Sequence, residues 1–167
     1  MKILKIKENK KEFLDLLLVG DEEEKMIDKY LENGELFALY DEDLKSVCVL
    51  TSSKDSYEIK NIATYPKYQK QGYGQQLIEF IIDYCKNKNK FTKIYVGTGD
   101  CEKIIKFYEK CGFEKSHKIS NFFVDNYTEP MFEEGKQLID MIYLKRDLWK
   151  LKNMRNKKNK INLWQIS

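Results

Sequence analysis

The hexapeptide Gln69-Lys70-Gln71-Gly72-Tyr73-Gly74 constrains this chain more than any other stretch. It follows a strand-like segment, Tyr57 to Ala63. It precedes Leu77, Ile78, Ile81, Ile82 and Cys85, which recur at helical spacing and predict a helix over Tyr73–Asn87. A strand, a short loop with two glycines and a helix N-terminus make a site for a phosphate. The first helical N–H groups lack internal partners, and the helix dipole makes that end positive. Glycine lets the backbone approach an anion without a Cβ in the way. Two familiar phosphate loops do not fit. A dinucleotide loop needs a third glycine where Leu77 stands, and a nucleoside-triphosphate loop needs Gly-Lys-Ser/Thr where Gly74 is followed by Gln75 and Gln76. Taken alone, the hexapeptide is equally an ordinary strand-to-helix turn.

A second stretch narrows the choice. Ile104-Ile105-Lys106-Phe107-Tyr108-Glu109-Lys110-Cys111-Gly112-Phe113 reads as a helix with Ile104, Ile105, Tyr108 and Cys111 on one face, closed by Gly112. Around these two motifs lies an α/β order. Strands are predicted at Ile3–Ile6, Glu35–Tyr40, Leu44–Leu50, Tyr57–Ala63, Lys93–Gly97 and Leu138–Leu148, and a partly extended stretch at Phe113–Phe123. Helices are predicted at Phe13–Val19, Met26–Leu31, Tyr73–Asn87 and Glu102–Lys110. The acidic turn Asp41-Glu42-Asp43 joins two of the strands, and the only prolines, Pro66 and Pro130, mark loops.

The pair of motifs resembles the GNAT superfamily of N-acetyltransferases. The first is similar to that family's Gln/Arg-x-x-Gly-x-Gly/Ala loop for acetyl-coenzyme A. The second is similar to its Ala-x-x-Phe-Tyr-x-x-x-Gly-Phe element, with Ile104 near the alanine position. The resemblance runs from about Gly34 to Leu148. It implies an α/β fold with a mixed, mostly antiparallel sheet flanked by helices, and central strands that splay to admit acetyl-coenzyme A as cosubstrate. It implies transfer of an acetyl group to a primary amine of a small molecule or protein, by direct attack in a ternary complex. The alternative is a non-catalytic, regulatory coenzyme A-binding module.

Chemistry then assigns roles. The pyrophosphate needs N–H donors from Gln69, Lys70, Gln71, Gly72, Tyr73, Gly74 and Gln75. The two pantetheine amides can pair with a strand edge, for which the backbone of Ile62, Ala63 and Thr64 is placed. An N–H there can also polarise the thioester carbonyl. A lysine-type amine has a pKa of about 10.4 and must lose a proton before it attacks. Glu58 is the candidate base, expected to share a strand face with Lys60 and Ile62 by alternation. The plainer reading of Glu58 is an ion pair with Lys60. Tyr108 resembles the family's general acid for the leaving thiolate; otherwise it is a core aromatic. Many relatives carry an asparagine before the second helix. In the family that asparagine contacts the pantetheine region; here Asp100 or Cys101 stands in that neighbourhood, which makes Asp100 a cofactor-binding candidate, and Asp100 is also expected to cap the helix.

The acceptor region is expected in Asn121 to Pro130, aromatic and acidic, which resembles a bacterial GNAT subgroup. Carboxylates beside aromatics suit a cationic amine. Four cysteines without CxxC spacing and a single histidine give no zinc pattern, and no other metal site is expected. No apolar run is long enough for a membrane span and no leader is evident, so a cytoplasmic enzyme is expected. Residues 1–149 are read as the acetyltransferase domain and 150–167 as a basic C-terminal extension. The formal total is +3 and the extension holds six basic and no acidic residues, so the domain carries −3. A net-acidic domain makes nucleic acid an unfavoured partner. Leu163, Trp164 and Ile166 in the extension, with the closing strand, are compatible with a homodimer.

Overall fold

The computed structural model describes residues 1–149, and the basic extension lies outside the described residues. Strands β1 (Lys2–Ile6), β2 (Glu35–Asp41), β3 (Asp43–Ser52), β4 (Tyr57–Thr64), β5 (Lys93–Gly99), β6 (Glu114–Ile119) and β9 (Met141–Asp147) form one sheet in the order β1-β2-β3-β4-β5-β9-β6. Every pairing is antiparallel except β4 with β5. A separate hairpin joins β7 (Phe132–Glu133) to β8 (Lys136–Gln137). The helices are α1 (Leu14–Gly20), α2 (Glu24–Leu31), α3 (Tyr73–Lys88), α4 (Glu102–Lys110) and α5 (Phe122–Asn126). Among the described residues no helix is long and apolar enough to cross a membrane.

The unbroken apolar runs of β2 and β3 are buried on both faces, as strands covered on two sides must be. Phe37, Leu39, Cys48 and Leu50 meet α3 and α4. Leu36, Ala38, Val47 and Val49 meet Leu16, Leu17, Ile27 and Leu31 of α1 and α2. The predicted stripe of α3, Leu77 to Cys85, is wholly buried. Each such aliphatic side chain contributes about 1.5–3 kcal/mol.

Two features of β4 shape everything that follows. It pairs with β5 only through Tyr57–Ile94, Glu58–Tyr95 and Ile59–Val96, after which the strands part. At that point Val49 of β3 faces Asn61 but Leu50 faces Ile59, so Lys60 is the extra residue of a bulge. The bulge overturns the expected alternation. Glu58 and Lys60 share a face, but Ile62 joins Tyr57 and Ile59 in the core under α3. Asn61 and Ala63 turn instead toward α1.

Two other expectations are narrowed. Only Glu114–Ile119 of the Phe113–Phe123 stretch is a strand, because Asn121 takes a left-handed conformation (φ 58) and starts α5. The closing strand begins at Met141, since Asp140 turns to accept the Asn121 N–H at 2.8 Å.

Candidate functional site

A cleft of about 880 Å³ opens where β4 and β5 part. Its walls are β4 from Ile59 to Thr64, β5 from Val96 to Gly99, the start of α3 and one side of α4. At its outer end the loop expected to hold phosphate is tied back by its own glutamines. The Gln69 amide donates to the Thr64 carbonyl at 3.1 Å, and that of Gln71 to Lys67 at 3.2 Å. Lys70 sits at φ 61, a left-handed conformation that a side chain-bearing residue adopts at a cost of roughly 1–2 kcal/mol. Gly72 follows at φ 89 and caps α3. The Gln76 N–H is the first to reach back into the helix, to the Gly72 carbonyl at 3.0 Å. The N–H groups of Gly72, Tyr73, Gly74 and Gln75 therefore lack intrahelical acceptors, and all four residues line the cleft. No acidic residue stands in the first turn of α3 to repel an anion.

Gly74 sits where a methyl would be in contact with α4 and anything larger would press on it. A Cβ there would lie 3.4 Å from Phe107 Cζ and 3.6 Å from Thr64 Oγ1, so α3 and α4 approach closely at this point. The loop is also clamped from outside by contacts that sequence reasoning missed. Tyr68 donates to Asp43 at 2.6 Å and Tyr73 to Asp41 at 2.9 Å, both on the β2–β3 turn. Between them the buried Lys45 ion-pairs with Asp43 and lies 3.6 Å from the Tyr68 ring centre. A lysine within the apolar run of β3 was the one available signal.

Tyr108 reaches the cleft from α4. Its ring is 6% exposed and packs edge-on against Phe107 and Phe113. Burial raises its pKa above the ordinary phenol value, helped by the neighbouring Cys48 and Cys111 thiols. It is a neutral donor across the working pH range. All four cysteines are free and buried, and burial pushes the Cys85 thiol up to about 12 and Cys111 to about 11.

Not every expected contact reaches the cleft. The side chains of Ile62, Thr64, Gln69 and Lys70 line it; that of Ala63 is buried toward α1, as a residue expected to act through its backbone can be, and that of Gln71 is tied back to Lys67. Asp100 is a correction. The cap of α4 is Cys101, whose carbonyl accepts from Ile104 and Ile105 at 3.1 and 2.9 Å. Asp100 is spent on the bend after β5 and its carboxylate points outward to Lys136 at 3.5 Å.

A second chamber of about 270 Å³ adjoins the cleft and shares with it Asp21, Ile59, Lys60, Gly97, Tyr127 and Met141. Glu58 lines this chamber and not the main cleft. It accepts the Tyr143 hydroxyl at 3.0 Å and pairs with Lys60 at 3.1 Å. Tyr143 in turn is stacked by His117 at 4.9 Å.

Asp21, which sequence reasoning did not single out, stands on the shared wall. Tyr127 donates to it at 2.8 Å and Tyr30 at 3.2 Å. Asn61 donates to the Tyr30 hydroxyl at 3.0 Å and to the Leu17 carbonyl at 2.9 Å. Glu23 accepts the N–H and the hydroxyl of Thr128, both at 3.0 Å. The segment after α5 is thus strapped across to the α1–α2 junction. Burial raises the Asp21 pKa above the ordinary 3.8, an effect opposed chiefly by the Tyr127 hydrogen bond. Among the described residues no group of three His, Cys, Asp or Glu is placed to hold a metal ion.

Comparison with known proteins places this geometry. The Acetyltransferase (GNAT) family pattern matches residues 7–113. An uncharacterized N-acetyltransferase of Bacillus subtilis (strain 168), YvbK, is 37% identical over 144 residues, 84% of this chain and 92% of that protein. Two crystal structures superpose closely. A GNAT family acetyltransferase from Elizabethkingia anophelis with acetyl-CoA bound has TM-score 0.82 and 37% identity, covering 87% of this chain and 97% of the other. A Bacillus subtilis acetyltransferase in complex with CoA has TM-score 0.81 and 36% identity, covering 89% and 99%. With the parted strands, the anion-ready helix end and the matched sequence all in agreement, this chain belongs to the GNAT family of acetyltransferases.

Proposed function

We propose that this enzyme acetylates a cationic primary amine by direct attack in a ternary complex, with acetyl-coenzyme A in the large cleft and the acceptor in the adjoining chamber. That it is an acetyl-coenzyme A-dependent N-acetyltransferase follows from the family. The observation that supports the rest is the junction of two unlike cavities where β4 and β5 part. The larger presents N–H groups without intrahelical acceptors and several lysines beside Asp21, Glu22 and Glu133, and the smaller sets Asp21, Glu58 and the phenols of Tyr30, Tyr127 and Tyr143 beside Lys29 and Lys60.

In this reading the α3 end takes the pyrophosphate and the free edge of β4 beyond Ile59 pairs with pantetheine. An N–H of that edge polarises the thioester carbonyl. Tyr108 gives its proton to the departing sulfur. The chamber holds two carboxylates, Asp21 and Glu58, and one of them draws in the ammonium and receives its proton before attack. Buried free thiols suit a reducing cytoplasm, where we place the protein.

The test is thiol release from acetyl-coenzyme A across monoamines, polyamines, aminoglycosides, amino acids and lysine peptides. Turnover with intersecting initial-rate lines is expected. Tight coenzyme A binding with no turnover on any amine would instead favour the non-catalytic module.

A further inference from the structure

The two carboxylates of the acceptor chamber are not equivalent. Glu58 already has a counter-ion, because Lys60 lies 3.1 Å away. Asp21 has none: it is met by neutral donors, the hydroxyls of Tyr127 and Tyr30 and the Glu23 backbone N–H, and no cation pairs with it among the described residues. Glu58 opens only into the smaller chamber, whereas Asp21 lines both cavities. A carboxylate withdrawn from water without a cation is costly unless something charged arrives. We propose that Asp21, rather than Glu58, binds the ammonium of the acceptor and takes its proton at the junction with the thioester cleft. The inference rests on the proposed acceptor chamber.

The arrangement around Asp21 fits that task. The carboxylate follows α1 directly and takes an extended conformation (φ −146, ψ 108), which fixes its direction. Gly20, before it, packs so closely that a Cβ would lie 2.3 Å from Asn61 Oδ1. Asn61 is 4% exposed and fixes Tyr30, which fixes Asp21. Tyr127 closes the far side from a segment more than 100 residues away in sequence. Aromatic rings of Tyr30, Phe122, Tyr127 and Tyr143 supply apolar and cation-attracting surface for the carbon chain of the acceptor.

The proton count closes. The ammonium gives one proton to the Asp21 carboxylate and becomes a neutral amine. The nitrogen lone pair forms a bond to the thioester carbonyl carbon. The carbon–sulfur bond breaks and the sulfur takes the Tyr108 proton. The second nitrogen proton returns to Tyr108 through water. The products are the amide, free coenzyme A and protonated Asp21, which releases its proton to solvent.

The proposal is tested on the full chain loaded with coenzyme A, with n-butylammonium, phenethylammonium and putrescine as probes. Calorimetry should show at least one of these binding, with the neutral n-butanol not competing. Asp21→Asn should weaken that binding at least tenfold while leaving coenzyme A affinity within twofold, and Glu58→Gln should weaken it less than threefold. Asp21→Asn preserves size, keeps one oxygen to accept a tyrosine hydroxyl and can donate its NH2 to the other, so loss of folding is not expected. If no cation binds the wild type, or if Glu58→Gln has the larger effect, the assignment to Asp21 is overturned.

A second measurement reads the proton. The groups that touch Asp21 or share the chamber are Glu22, Glu23, Lys29, Tyr30, Glu58, Lys60, Tyr127 and Tyr143. The hydrogen bond from Tyr127 favours the ionised carboxylate, so Tyr127→Phe should move the acidic limb of kcat/KM for the amine to higher pH, and Asp21→Asn should abolish that limb. An acidic limb unchanged in both variants would overturn the proton-accepting role. Cation binding at Asp21 with no acetyl transfer to any amine would sink the proposed function and leave Asp21 as the cation site.

Discussion

Ile59 and Val96 are the last residues through which β4 and β5 pair with each other. One residue later Lys60 bulges and the strands separate, so the site begins where the ladder ends. On the β5 side the wall is kept thin by Gly97, which lines both cavities. A Cβ on Gly97 would lie 2.8 Å from Met141 Sδ and 3.2 Å from Tyr143 Cζ. Gly97→Val should therefore push Met141 and Tyr143 into the smaller chamber. Overpacking of this kind costs about 1–3 kcal/mol of stability. The expected kinetic signature is a KM for the amine raised at least tenfold, with the KM for acetyl-coenzyme A raised less than threefold. Equal increases in both would show that the glycine does not separate the two cavities.

Tyr108→Phe removes one hydroxyl and keeps the ring that Phe107 and Phe113 pack against. Loss of a general acid typically lowers the rate on the order of a hundredfold or more. Because burial raises the pKa of this phenol, wild-type turnover should show no loss of the acid form up to pH 9. The check is single-turnover kinetics, where chemistry limits the rate. Wild-type rates in the variant would remove Tyr108 from the reaction.

Gly72 and Gly74 should fail in different ways. At φ 89, Gly72→Ala forces a Cβ into the left-handed region, at about 1–2 kcal/mol. The added methyl meets only the tip of Gln76, at 3.5 Å. Its effect should be on stability and loop shape together. Gly74→Val keeps an ordinary backbone but drives its methyls into Phe107 and Thr64, prising α3 from α4 beside the free N–H groups. Acetyl-coenzyme A affinity by calorimetry should fall at least tenfold. Unchanged affinity in a folded Gly74→Val protein would remove the α3 end as the pyrophosphate site.

The parts of this site that were legible in sequence are local ones. The glycine loop and the stripes of α3 and α4 depend on neighbours within a few residues, and the structure places them as read. What escaped depends on distance or on a single inserted residue. The Lys60 bulge reverses which β4 side chains face α3, and nothing in Tyr57-Glu58-Ile59-Lys60-Asn61-Ile62 announces it. Asp21 and Tyr127 meet across 106 residues, so neither looks special alone. Asp100 carries good capping chemistry, but β5 runs on through Gly99 and leaves it one position too early.

Among the described residues, those lining the two cavities run from Val19 to Tyr143. Removing residues 153–167 should therefore leave acetyl transfer to a small amine within threefold of the full chain. The division into a catalytic domain and a basic extension would fail if a folded, equally associated truncated protein lost turnover.

The clamp on the phosphate loop should respond to acid in a defined window. The hydrogen bond from Lys45, then that from Tyr68, holds the Asp43 carboxyl at about 2, below its ordinary 3.8. A carboxyl depressed in the folded state contributes stability above its unfolded pKa and loses that contribution as pH falls through the folded value. The difference in Tm between wild type and Asp43→Asn should therefore be full from pH 5 to 7, shrink as pH falls through 3.8, and lose the ionic contribution only below about 2. Asp43→Asn also frees Lys45 and loosens Tyr68 beside the loop, so acetyl-coenzyme A affinity at pH 7 should fall severalfold. A variant that keeps wild-type affinity at pH 7, with a Tm difference independent of pH, would mean that the β2–β3 turn does not hold the loop in place.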